Sequence, residues 1–293
     1  SVLLMTVWLT GCVQEELGST PSPTGNGIRF TLTVPDVNLP SVSSRTMTGT
    51  GTAKKEDEIE TVDILVFDMS KTPAVYLECV SATGVTQDLA DNSTVSFSAV
   101  LSPTTASTCI VVVANKELDN IVPGFIKGTT TKVEAMEKML HAQTGKWLAD
   151  GSTTDGYTRI PMYGEKVISK ITPSMDPITG INMKRMLARI DIRNNSATSN
   201  FTVEEVYLAN YNTTGYIAPA WNTNGQVTDP APDTPVLPVN SGKMTEEGDA
   251  ILYSVKGNTP YDGEIYTFES LAAEDAGGVG QDGEASRKDA TCL

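Results

Sequence analysis

The segment Thr108-Cys109-Ile110-Val111-Val112-Val113-Ala114-Asn115 constrains this chain most. It is apolar almost throughout, so neither face of an extended strand built from it can stay in water. That pattern predicts a central strand covered on both sides. Around it, shorter segments carry the period-two signal of half-buried strands. Ile28-Arg29-Phe30-Thr31-Leu32-Thr33-Val34 alternates apolar and polar, and the stretches 60–68, 75–80 and 94–101 read as further strands. Ile160-Pro161-Met162-Tyr163-Gly164-Glu165 reads as a short extended piece ended by its glycine. Residues 187–192 alternate again, 201–210 follow as a strand, and 252–255 and 264–269 are the last candidates. One helix is predicted, over 131–143. There Val133, Met136, Met139 and Leu140 recur at spacings of three and four, with Glu134, Glu137 and Lys138 between them. The expected class is therefore all-β with one short helix. The length of 293 residues allows about two domains. The boundary is placed near Met183, giving an N-terminal domain over 28–182 and a C-terminal one over 183–270. Residues 219–243, rich in Pro, Asn, Thr and Gly, read as a long surface loop.

The start of the chain has a different character. An apolar run, Val2 to Trp8, leads into Leu9-Thr10-Gly11-Cys12. Roughly ten apolar residues suit the core of a signal peptide and are too few for a membrane span of roughly twenty. Leu-Thr-Gly-Cys resembles the bacterial lipobox, in which the Cys thiol is acylated and the peptide before it removed. Residues 1–12 are then the remnant of a signal peptide, entered partway through, and Cys12 is the lipidated residue. The alternative is a buried apolar strand that ends in a free Cys. Residues 13–27 are polar and rich in Gly, Pro and Ser, which predicts a flexible tether. The segment 41–55 is mobile by composition. Within it Arg45 is flanked by small residues, so the Arg45–Thr46 bond is open to a trypsin-like protease.

Charge narrows the function. Net charge is −15, from 21 basic and 36 acidic residues. Nucleic-acid affinity rests on basic side chains meeting phosphates, so nucleic acid is excluded as a partner. The balance suits a soluble surface protein. Of the four cysteines, Cys12 is assigned to lipid and Cys292 lies in an odd tail. Cys79 and Cys109 could pair in an oxidising compartment. Each sits in an apolar strand-like run, so two buried free thiols fit as well. No metal-ligand spacing is present, and no cofactor is expected.

Several pieces, in order, resemble the fimbrillins of Bacteroidales, the subunits of type V pili. They are the lipobox at Cys12, the strand 28–34, the loop at Arg45, Ile59 to Asp68, Val111-Val112-Val113-Ala114-Asn115-Lys116, Ile160 to Glu165, Met186 to Ile192, Phe201 to Asn210, and Ile265-Tyr266-Thr267-Phe268-Glu269. The resemblance implies two β-sandwich domains of transthyretin-like topology. It implies a subunit exported as an outer-membrane lipoprotein to the cell surface and built into a fimbrium with other fimbrial subunits. It further implies an arginine-specific protease that cuts at Arg45, releasing the first strand. Ile28, Phe30, Leu32 and Val34 would then be the groove-filling residues, and another subunit's strand would replace them. Without the resemblance, the same segment reads as an ordinary N-terminal strand. The family continues beyond the Tyr-x-Phe-Glu region with more strands. Here residues 271–293 carry no aromatic and no β-branched pair, which predicts a disordered tail and an incomplete second domain.

Enzyme chemistry finds little support. The single histidine, His141, falls in the predicted helix, and no Gly-x-Ser-x-Gly elbow accompanies it. Glu204 and Glu205, adjacent on a strand, point to opposite faces. The expectation is a non-enzymatic structural subunit. The alternative is a surface glycan-binding β-sandwich lipoprotein, whose aromatic platform would come from Trp147, Tyr216 and Trp221.

Overall fold

The computed structural model describes residues 28–34, 56–87, 94–143, 145–147, 159–193, 205–228, 236–239, 250–252 and 262–270. Its strands run in chain order as β1 (Ile28–Thr33), β2 (Val62–Asp68), β3 (Val75–Ser81), β4 (Thr83–Gln87), β5 (Thr94–Ala99) and β6 (Thr108–Ala114). A short helix, α1 (Lys132–Lys138), precedes β7 (Leu140–Ala142), β8 (Met162–Ile168), β9 (Ile178–Asn182) and β10 (Lys184–Arg185). The rest are β11 (Leu187–Arg193), β12 (Tyr207–Leu208), β13 (Thr214–Tyr216), β14 (Ile251–Leu252) and β15 (Asp262–Phe268). The protein is an all-β sandwich with one α-helix among the described residues.

Two sheets form the main sandwich. One has the order β4-β5-β1-β9 and the other β10-β8-β6-β2-β3. At both sides the chain passes from one sheet to the other. β3 pairs with β2 and, after Ala82, β4 pairs with β5. β9 pairs with β1 and, after Met183, β10 pairs with β8. The two sheets are thereby linked covalently at both margins, with β3, β4, β9 and β10 as their edge strands.

The apolar run 108–114 lies at the centre of the five-stranded sheet, and every one of its residues is buried. The reason is a second core. Ile110, Val112 and Ala114 face the sheet that holds β1, in a core shared with Ile64, Val66, Val95 and Phe97. Cys109, Val111 and Val113 face the other way. There α1, through Ala135, Met136 and Met139, and the later segments, through Ile217, Ala218, Tyr266 and Phe268, complete a second cluster. A third, smaller cluster joins Val206, Leu208, Tyr211 and Ile265.

The helix is shorter than its period suggests. Thr131 and Glu134 form a capping box: Glu134 N–H donates to Thr131 Oγ1 at 3.2 Å, and Thr131 N–H to Glu134 Oε2 at 2.8 Å. Met139 leaves helical geometry, with φ −81 and ψ 77, because Leu140–Ala142 pairs with β13 instead. The inward face also differs from expectation. Lys132, not Val133, is buried, and a Cβ at Gly225 would stand only 3.3 Å from Lys132 Cβ and Val133 Cγ2, so glycine lets that turn lie against the helix start.

Gly164 lies inside β8 and does not end it. A Cβ there would stand 2.7 Å from Met183 Sδ and 2.8 Å from Ile181 Cγ2, so glycine is what lets the β9–β10 crossover lie against β8. Sequence periodicity missed β4, β7, β9 and β13 altogether.

Candidate functional site: the first strand and the strap after the connection

β1 is the first described strand, yet it occupies an interior position. β5 flanks it in antiparallel register, with Ile28 opposite Ala99, Phe30 opposite Phe97 and Leu32 opposite Val95. β9 flanks it in parallel register, with an irregularity between Phe30 and Leu32. The alternation read from sequence is realised in space. Ile28, Phe30, Leu32 and Val34 are 5%, 1%, 0% and 1% exposed, whereas Arg29 and Thr33 face solvent. Met183 N–H donates to the Thr33 carbonyl at 2.9 Å, which ties the end of β1 to the crossover. Cys12, Arg45 and Thr46 lie outside the described residues.

The next described residues, Glu56-Asp57-Glu58-Ile59-Glu60, form a strap held by side chains from far along the sequence. Gln87 Nε2 donates to the Asp57 carbonyl at 2.7 Å, and Ile59 N–H donates back to Gln87 Oε1 at 3.2 Å. Asn115, in the left-handed region at φ 58, donates from Nδ2 to the Glu58 carbonyl at 2.7 Å and the Ile160 carbonyl at 3.0 Å. Its Oδ1 accepts from Glu60 N–H at 3.0 Å. Arg159 pairs with Glu58 at 3.2 Å and Glu60 at 2.7 Å, and Arg185 pairs with Asp57. Glu56 is buried, 3% exposed. Its carboxylate accepts from Arg189 Nη1 at 2.8 and 3.0 Å and from the Tyr266 hydroxyl. The acidic run 56–60 was visible in the sequence, but nothing local pairs it with arginines more than a hundred residues away.

The other candidates separate. Trp147 is buried, with its ring perpendicular to that of Phe268 at 6.3 Å, and is unavailable as a platform. Tyr216 and Trp221 meet at 4.9 Å with planes 73° apart, and Trp221 packs on the core. They present an edge and a face, not two coplanar faces. His141 is held down to about 4, chiefly by burial and then by the Lys116 charge, with Gln143 acting the other way. It is neutral at physiological pH. Cys79 and Cys109 are free thiols on different strands. No cluster of His, Cys, Asp or Glu suited to a metal occurs among the described residues. Behind β6, Lys132 Nζ contacts Glu165 Oε2 at 2.5 Å, and the Tyr163 hydroxyl donates to the same oxygen at 2.6 Å. This buried polar group also escaped sequence reading, because Lys132 looks like a solvated helix residue.

Comparison with solved structures finds a fimbrial assembly protein from Parabacteroides distasonis, 12% identical, with 85% of this chain and 79% of that one covered at a TM-score of 0.42. A candidate cell adhesion protein from the same organism is 19% identical, with 86% and 73% covered and a TM-score of 0.46. Candidate polysaccharide binding proteins from Bacteroides thetaiotaomicron are 12% identical, with 85% and 73% covered and a TM-score of 0.42. Comparison with curated proteins finds no match. The sequence profile of the fimbrillin-A associated anchor proteins Mfa1 and Mfa2 matches residues 22–273. That match takes in β1, the strap, both main sheets and the Tyr266–Phe268 end of β15, and the chain belongs to this family.

Proposed function

We propose that this fimbria-associated surface protein is a structural subunit of a cell-surface fimbrium, exported as a lipoprotein through Cys12 and joined to its neighbours by strand exchange. In this reading residues 28–182 carry the exchanged strand and residues 183–270 form the second sandwich. The partners are other fimbrial subunits, an arginine-specific protease acting at Arg45–Thr46, and the outer membrane through the lipid. No catalytic role is assigned.

One observation carries the reading: a strand at the head of the described fold fills an interior slot with four core side chains. Burying each is worth about 1.5–3 kcal/mol, so the four together contribute roughly as much as the whole stability of a typical domain, about 5–15 kcal/mol. Loss of β1 is therefore costly unless another strand takes its place. A donated strand satisfies the exposed backbone of β5 and β9 and refills the alternate pockets.

The test is digestion of the folded protein with an arginine-specific protease, followed by mass spectrometry and electron microscopy. The expected result is a first cut after Arg45, release of the fragment bearing residues 28–34 under mild denaturation, and polymer formation. Retention of that fragment with a monodisperse product would refute strand exchange. Loss of acyl labelling in Cys12→Ser tests the anchor separately. Binding on a glycan array that is lost in Trp221→Ala would favour the glycan-binding alternative.

A further inference from the structure

We infer that the strap Glu56–Glu60 is a clasp that fixes the chain just ahead of β2, so that β1 can be withdrawn while β2 and the β11–β15 pair stay in place. The inference rests on the strand-exchange reading for its purpose but not for its geometry. The clasp's named partners are Gln87, Asn115, Arg159, Arg185, Arg189 and Tyr266. They lie on β4, after β6, before β8, and on β10, β11 and β15, and none of them is in β1. Withdrawing β1 removes the apolar packing it shares with Ile59 but leaves these polar contacts whole.

The resistance to further unravelling is concentrated at Glu56. Its buried carboxylate meets a guanidinium from β11 and a hydroxyl from β15. Pulling residue 56 out would take this carboxylate away from Arg189 and Tyr266 and carry a buried charge out of a matched site, and losing such a hydrogen-bonded charge is costly. The same contacts bind the later part of the chain to the connection. β1 and the strap are therefore two separable units: one apolar and replaceable, one polar and retained.

Hydrogen exchange by mass spectrometry on the full chain tests this with two variants. Phe30→Ala should speed exchange in residues 28–34 and leave 56–61 and 262–268 at the wild-type rate. Glu56→Gln should do the reverse, speeding exchange in 56–61 and 262–268 by roughly tenfold or more and sparing 28–34. If Glu56→Gln does not fold, Tyr266→Phe removes the hydroxyl that meets Glu56 and should give the same pattern at smaller amplitude. Equal acceleration of both sets by Phe30→Ala would overturn the clasp, since β1 and the strap would then open together. So would unchanged exchange at 262–268 in both clasp variants. A cut chain that never releases β1 would defeat strand exchange while leaving the clasp standing on these exchange patterns.

Discussion

The rings of Phe30 and Phe97 stack directly across the β1–β5 ladder, 5.0 Å apart between centroids and 7° from parallel. Both side chains are buried, so this pair is the bulkiest contact between the first strand and the sheet that holds it. Phe30→Ala should cost about 3–5 kcal/mol, and Phe30→Leu clearly less. Denaturant melts of the two variants check the order, and equal losses would show that the aromatic ring, not buried volume, sets the cost.

Asn115 combines a left-handed backbone with three side-chain hydrogen bonds. Asn115→Ala should lose about 2–4 kcal/mol through the unmade bonds. Asn115→Gly should be milder by about 1 kcal/mol, because glycine accepts positive φ without strain. Equilibrium unfolding of both variants reads the difference; if Gly and Ala are equally damaging, backbone strain plays no part.

Lys132→Met should destabilise by about 3 kcal/mol, since Glu165 would lose its cation and keep the Tyr163 hydroxyl and a long contact from Val227 N–H. Some exposure of Glu165 holds the effect to the lower end of the range for buried pairs. Pairing the change with Glu165→Leu should recover most of the loss. A double variant as unstable as the single one would mean that helix packing, not stranded charge, is responsible.

Burial pushes the Cys79 thiol up to about 12 and the Cys109 thiol up to about 11, with neighbouring acids adding to the rise at Cys79. Thiolate is the reactive form. Iodoacetamide at neutral pH should therefore leave both residues unmodified in the folded protein and label both after unfolding. Peptide mass spectrometry checks each site, and rapid native labelling of either would contradict the raised thiol pKa.

His141 resists protonation in the fold, where its pKa is about 4, but takes up a proton near pH 6.5 once unfolded. Between these values the unfolded chain binds more protons, so stability falls as pH falls. The contribution is fully present above about pH 6.5 and is lost on approach to about pH 4. His141→Leu should flatten this part of the Tm–pH curve. A difference curve against wild type that is level from pH 7 to pH 4 would refute it.

Local pattern was enough to place β6 at the centre and to choose the four inward residues of β1. Strand side chains alternate faces, so period and polarity together decide which atoms must leave water. The helix was legible for the same reason, through the spacing of its apolar residues. Tertiary structure alone decided what those elements meet. That β9 should flank β1 in parallel, that Leu140–Ala142 should leave the helix to pair with β13, and that Gly164 should lie under a crossover depend on segments distant in sequence. The buried charges show the limit most clearly. Nothing in the local sequence marks Glu56 or Lys132 as buried, since an isolated charge belongs in water, and only the folded chain supplies Arg189 with Tyr266 for one and Glu165 for the other.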